Sequence, residues 1–147
     1  MLFLKAASLL ERLGIAHTPL AENQINDHKQ AWVNHFIPPE KHSKAIECYC
    51  LPTDDGCSDY LWHAFSFELL DGLCGNEAHI ALQCVQIGEA VLLSNWEDAG
   101  FYIPDASALT ASTLEGITDF VLTSADFKWT YAKTHELELG PYFFKVQ

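Results

Sequence analysis

Positive charge is scarce in this chain and unevenly placed. There are 8 Lys and Arg against 20 Asp and Glu, a formal net charge of -12. From Ala45 to Phe127 there is no Lys or Arg at all, while the same stretch carries 14 carboxylates. Neutralisation there has to come from the two ends of the chain, from histidines or from a partner. Such a surface repels phosphate backbones and anionic membranes, because binders of either supply positive charge. Nucleic acid and membranes are therefore excluded as expected partners. Long apolar runs are also missing: no stretch of 18 apolar residues exists, so no membrane span is expected. The apolar opening from Met1 to Leu10 is broken by Lys5 and ended by Glu11 and Arg12, which suits an amphipathic helix better than a secretory segment. Catalytic signatures are absent as well: the chain has no G-x-S-x-G elbow, no Walker loop, no dinucleotide glycine fingerprint and no H-E-x-x-H. The cysteines number five, an odd count, which points to reduced thiols in a cytoplasm.

What is present describes an ordinary globular domain. The 147 residues are 49% hydrophobic and 12% aromatic. A chain of this length forms one domain, here residues 1–147, and buries roughly 68–70% of its unfolded surface. Leu2, Leu9, Leu10 and Leu13 make one stripe of a helix over residues 2–13, stopped by Gly14. A second helix is expected from Asn26 to Phe36, with Trp32, Val33 and Phe36 on its apolar face and Pro38-Pro39 closing it. Strands are expected over Ala45–Leu51 and Asp59–Phe67, on either side of the turn Pro52–Gly56. Ala78, Ala81, Leu82 and Val85 give helical spacing to Asn76–Gln86. Short β-rich runs, Ala90–Leu93 and Gly100–Ile103, flank a polar loop from Ser94 to Asp98. A helix is expected over Asp105–Leu114 and a buried strand over Asp119–Thr123. Phe127–Ala132 alternates with period two as a half-buried strand does, and Gly140-Pro141 turns the chain into a last aromatic strand, Tyr142–Val146. The expected class is α/β of the α+β kind: a mixed, partly antiparallel sheet flanked by helices, with an N-terminal helical part.

The most distinctive segment is Asp126-Phe127-Lys128-Trp129-Thr130-Tyr131, continuing through Thr134-His135-Glu136 to Gly140-Pro141-Tyr142-Phe143. Taken with Leu61-Trp62-His63-Ala64-Phe65-Ser66 and Glu77-Ala78, it resembles a bacterial family of small proteins of unknown function over about residues 60 to 144. The resemblance implies a small bacterial protein and carries no catalytic residues with it.

Three groups of residues invite a chemical reading. His63, His135 and Glu136 form a competent acid–base or metal set if folding unites them at a strand end. The plainer alternative is that both histidines bond neighbouring backbone or carboxylates. Cys48 and Cys50, with Cys57 and His42 or His63, would face one way on a strand and hold zinc. C-x-C is a poor knuckle, and buried reduced thiols explain it more simply, so neither metal nor cofactor is expected. Cys74 precedes Gly75 at a helix start, but it has no flanking basic residue to make it a nucleophile. Asp54, Asp55 and Asp59, with Trp96, Glu97 and Asp98, fall in or beside expected loops as carboxylates around an aromatic anchor, the pattern of a docking patch. A solvated loop surface is the plainer alternative. Together these features favour an acidic protein-binding module, an immunity-type inhibitor that occludes the active site of a basic toxin or nuclease. A small enzyme using His63, His135 and Glu136, and a regulatory partner-binding protein, are the alternatives.

Overall fold

The computed structural model describes residues 3–47, 61, 63–66, 68–95, 97–136 and 140–146. Seven strands form one sheet: β1 (Thr18–Pro19), β2 (Leu73–Cys74), β3 (Ala90–Ser94), β4 (Gly100–Ile103), β5 (Phe120–Ser124), β6 (Trp129–Lys133) and β7 (Tyr142–Lys145). Their order across the sheet is β1-β4-β3-β5-β6-β7-β2. Every pairing is antiparallel, so the parallel component of the expected mixed sheet is not found among the described strands. The helices are α1 (Leu4–Arg12), α2 (Glu22–Phe36), α3 (His42–Glu47), α4 (His63–Ser66) and α5 (Asn76–Cys84). This is the expected α+β class with its N-terminal helical part.

Side chains alternate across the pleat, and both faces of the sheet are covered. Ala90 and Leu92 of β3, Phe120 and Leu122 of β5, and Trp129 and Tyr131 of β6 join one core with Leu9 and Leu10 of α1 and Ala78 and Leu82 of α5. Val91, Leu93, Val121 and Ala132 point the other way, into a second core with Ile25, Trp32, Val33 and Phe36 of α2 and Phe65 of α4. The strand expected to be half-buried is therefore buried on both sides: Trp129, Thr130, Tyr131 and Ala132 are all inside. Its polar members are paired there. The indole N–H of Trp32 donates to Thr130 Oγ1 at 2.9 Å, and that hydroxyl lies 3.1 Å from Thr123 Oγ1.

Other local expectations are corrected. The second helix begins at Glu22, ahead of Asn26, because Gln24 Oε1 accepts the Ala21 N–H at 2.8 Å and closes its first turn. Ala45–Glu47 is helical, not extended. Pro39 opens a 3-10 turn (Pro39–Lys41) that runs straight into α3, where Lys44 pairs with Glu47 at 3.4 Å. The aromatic run expected as a strand contains α4 instead, because one helical turn also buries Ala64 and Phe65 together. Asp105–Leu114 forms no α-helix. Asp105 Oδ1 accepts the Ser107 N–H at 3.0 Å, and Thr110 and Thr113 bond each other's backbone N–H at 2.8 and 3.1 Å. These short polar side chains capture the donors a helix would use, leaving only a 3-10 turn at Thr113–Gly116. Asp54, Asp55, Asp59, Trp96, Cys48, Cys50 and Cys57 lie outside the described residues, as do the expected turn Pro52–Gly56 and the rest of the strand before it. Among the described residues no helix is long and apolar enough to cross a membrane.

Candidate functional site at one end of the sheet

The register fixes which loops share an end of the sheet. Leu93 faces Gly100, Ser94 faces Phe120, and Phe120 faces Lys133. The β3–β4 loop, the lead into β5 and the segment leaving β6 therefore converge. Glu97 and Asp98 come from the first, Thr118 and Asp119 from the second, and Thr134, His135 and Glu136 from the third.

Backbone and carboxylate bonds lock these pieces together. Ser94 Oγ accepts the Glu97 N–H at 3.1 Å, and Ala99 N–H donates to the Glu97 carbonyl at 2.8 Å, so the loop is tight. Glu97 is partly buried, and its Oε1 accepts the Phe3 N–H at 3.2 Å, tying the start of α1 to the loop. Asn95, buried, donates its N–H to the Asp119 carbonyl at 2.7 Å and accepts the Leu61 N–H on Oδ1 at 3.2 Å. Asp119 has φ 58, a left-handed conformation that aspartate tolerates better than most residues. Its Oδ1 accepts from both His135 N–H, at 3.2 Å, and His135 Nδ1, at 2.7 Å. Asp119 and Asn95 were not picked out from sequence. Asp119 directly before a buried aromatic strand was the one available signal, and its partner is only visible once β3 and β5 are paired.

Of the three residues of the expected cleft site, His135 and Glu136 leave β6 at this end, and His63 of α4 lies within electrostatic reach of Glu136. Glu136's charge favours the protonated form of both rings, as a lesser influence on each. His135 is lifted above the ordinary histidine value chiefly by its hydrogen bond to Asp119, then by that carboxylate's charge. His63 is pushed below it because desolvation outweighs Glu136. Each ring also keeps its own local partner: His63 Nδ1 lies 3.3 Å from Ser66 Oγ, within α4. Tyr142, stacked on Phe65 at 4.9 Å, is raised first by burial and then by the charges of Cys74 and Glu136. Cys74 and Cys84 are exposed free thiols. Among the described residues no three His, Cys, Asp or Glu side chains are grouped to hold a metal ion.

A cavity of about 410 Å³ opens at the same end, between α1 and the loops. Phe3, Leu4 and Ile117 give it apolar walls, and Glu97 and Asp119 bring carboxylates to it. Lys5 lines the same cavity. Lys133 turns its ammonium to the carbonyls of Leu114 and Glu115, at 3.4 and 3.1 Å. The opposite end differs: there Lys128 and Lys145 line a cavity of about 400 Å³ together with Glu89 and Asp126. Glu97, Asp98, Asp119 and Glu136 thus share one end of the sheet with Lys5 and Lys133, and Glu89 and Asp126 share the other with Lys128 and Lys145.

No curated protein and no solved structure matches this chain. One family does match it, over residues 15–143, which reaches well upstream of the segment whose motifs carried the resemblance. The chain belongs to that family, described as a domain of unknown function (DUF4275).

Proposed function

We propose that this chain is an acidic protein-binding module, a bacterial cytoplasmic inhibitor of the immunity type, and that it covers the basic active site of a toxin or nuclease. The observation that carries the reading is the grouping of Glu97, Asp98, Asp119 and Glu136 at one end of the sheet, in a chain with no cation from Ala45 to Phe127. The bonds among Ser94, Asn95, Glu97, Asp119 and His135 make that end preorganised, so little ordering cost falls on association. Opposed potentials speed encounter by roughly 10 to 10³-fold and lose that advantage in salt. Asp54, Asp55, Asp59 and Trp96, the other expected docking residues, lie outside the described residues.

The reading expects the gene beside this one to encode a protein ending in a basic toxin or nuclease domain, and that domain is the partner to test. The chain should restore growth to cells producing that domain. In stopped flow, association should slow steeply with ionic strength. Reversing Asp98 and Glu136 together to Lys should slow association at low salt by about tenfold. Both residues are exposed, so stability should stay within about 0.5 kcal/mol. An association rate indifferent to salt and to both reversals refutes the reading.

A second reading, an acid–base enzyme on His63, His135 and Glu136, draws on the reach of Glu136's charge to both rings. It predicts that a substrate or analogue shifts both imidazole resonances together. A shift confined to one ring counts against it.

A further inference from the structure

Further along α1, between the helix and the 3-10 turn at Thr113–Gly116, lies another cavity, of about 330 Å³. Its ionisable lining is cationic: Lys5 and Arg12, with Ser8 between them in sequence, and no carboxylate. The three residues are exposed and share one side of α1, because seven residues make almost two full turns. Lys5 and Arg12 are about 10 Å apart along the axis, so two long side chains can close on one ligand over the Ser8 hydroxyl. None of the three side chains has a hydrogen-bond or ion-pair partner among the described residues. The carboxylates nearest in sequence are directed elsewhere. Glu11 lies about 100° round the helix from Arg12, and the charge of Glu115 acts on Tyr131 and Lys133. In a chain of net charge -12, two adjacent cations left without a carboxylate call for an anion from outside.

We propose that this cavity binds a phosphate monoester carrying a small apolar group. The donors select the head group. The guanidinium fork of Arg12 takes two phosphate oxygens, Lys5 takes the third, and Ser8 adds a neutral donor. A carboxylate offers two oxygens, which the fork alone occupies. Two positive charges also match the dianion that a monoester becomes above about pH 6. The organic group packs on the apolar walls, Leu4 and Ile117, of which Leu4 is 63% exposed without it. The negative field of the whole chain opposes every anion, so the site shows itself in the ranking of anions. It stands apart from the docking reading and does not depend on it.

The test needs no protein partner. Phenyl phosphate is titrated into the isotopically labelled full chain at about pH 7.5, where it is a dianion, beside inorganic phosphate and benzoate. Saturable amide shifts at Lys5, Ser8, Arg12, Gly116 and their neighbours are expected at roughly millimolar concentrations. Benzoate lacks the third oxygen and the second charge, and inorganic phosphate lacks the ring, so each should bind about fivefold more weakly. Arg12→Gln and Lys5→Gln, both at exposed positions, should each weaken phenyl phosphate about fivefold. Lys145→Gln, at the other end of the sheet, should leave it unchanged. Absence of saturation, shifts centred on Lys128 and Lys145, a comparison anion binding as tightly, or indifference to Arg12→Gln would each overturn the site. The docking function is decided separately, by the salt dependence of toxin association.

Discussion

Replacing Thr130 by Val tests whether the buried polar thread between α2 and the sheet holds the second core in place. Valine keeps the shape of threonine but removes the hydroxyl. Trp32 and Thr130 are both 0% exposed, so water cannot reach the indole N–H that Thr130 Oγ1 accepts at 2.9 Å. Thr123 Oγ1, 3.1 Å from the same hydroxyl, loses its partner too. A buried donor left unsatisfied costs about 1–3 kcal/mol. With two groups affected, Thr130→Val should destabilise the protein by about 2–3 kcal/mol. Urea unfolding followed by tryptophan fluorescence measures this directly. At a slope of about 2 kcal/mol/M the midpoint should fall by about 1–1.5 M. Trp32→Phe carries a cost of its own, from the smaller ring. In the double variant no orphaned indole remains, so the two losses should fall short of additivity by about 1 kcal/mol. A Thr130→Val midpoint within about 0.25 M of the parent, or strict additivity of the pair, would refute the reasoning.

Burial lowers the pKa of His28 to about 4; its ring packs against Phe127 and its Nε2 has no hydrogen-bond partner among the described residues, so the folded state holds this ring neutral. The unfolded chain binds the proton from about pH 6.5 downward, so this contribution is complete above pH 6.5 and drains away between 6.5 and 4, by up to about 3 kcal/mol. In His28→Leu, urea midpoints at pH 7 and pH 5 should lie closer together than in the parent. His135 works with the opposite sign: its raised pKa gives a contribution present below the unfolded value and lost as pH rises through the folded one. Asp119→Asn should bring the His135 midpoint back toward the ordinary histidine value in an NMR titration. At Gly100, where β4 passes β3, an added Cβ would sit 2.5 Å from Leu93 Cδ2 and 2.9 Å from the Leu92 carbonyl. Gly100→Ala should therefore cost about 1–3 kcal/mol in thermal or urea unfolding, since the backbone oxygen cannot move aside as a side chain does.

The inner strands of the sheet were readable because their period of two survives burial on both faces. In Trp129–Ala132 and Phe120–Leu122, neighbouring apolar residues simply enter different cores. The edges were not readable. β1 and β2 are two residues each, Thr18–Pro19 and Leu73–Cys74, too short to show any period, and only pairing with β4 and β7 makes them strands. The same limit hid α4, because Leu61–Ser66 is an apolar run that one helical turn and one short strand bury equally well. Of the candidate site, Glu97, Asp98, His135 and Glu136 stood out as charged residues in loops. Asp119 and Asn95, which join those loops, carry their meaning only through β3–β5 pairing, a contact between residues far apart in sequence.

The meeting of these loops follows from the way an antiparallel sheet sorts its connections. Each strand reversal sends the next loop to the other end, so residues close in sequence part company and distant ones meet. Glu97 and Asp98 follow β3, Asp119 precedes β5, and His135 and Glu136 follow β6; all reach one end. Lys128 lies in the turn from β5 to β6 and Lys145 ends β7, so both fall at the other. There they meet Glu89 and Asp126 around the second cavity, and opposite charges offset. Strand order thus decides which charges of this cation-poor sequence meet, and the proposed docking draws on Glu97, Asp98, Asp119 and Glu136 at the end they share.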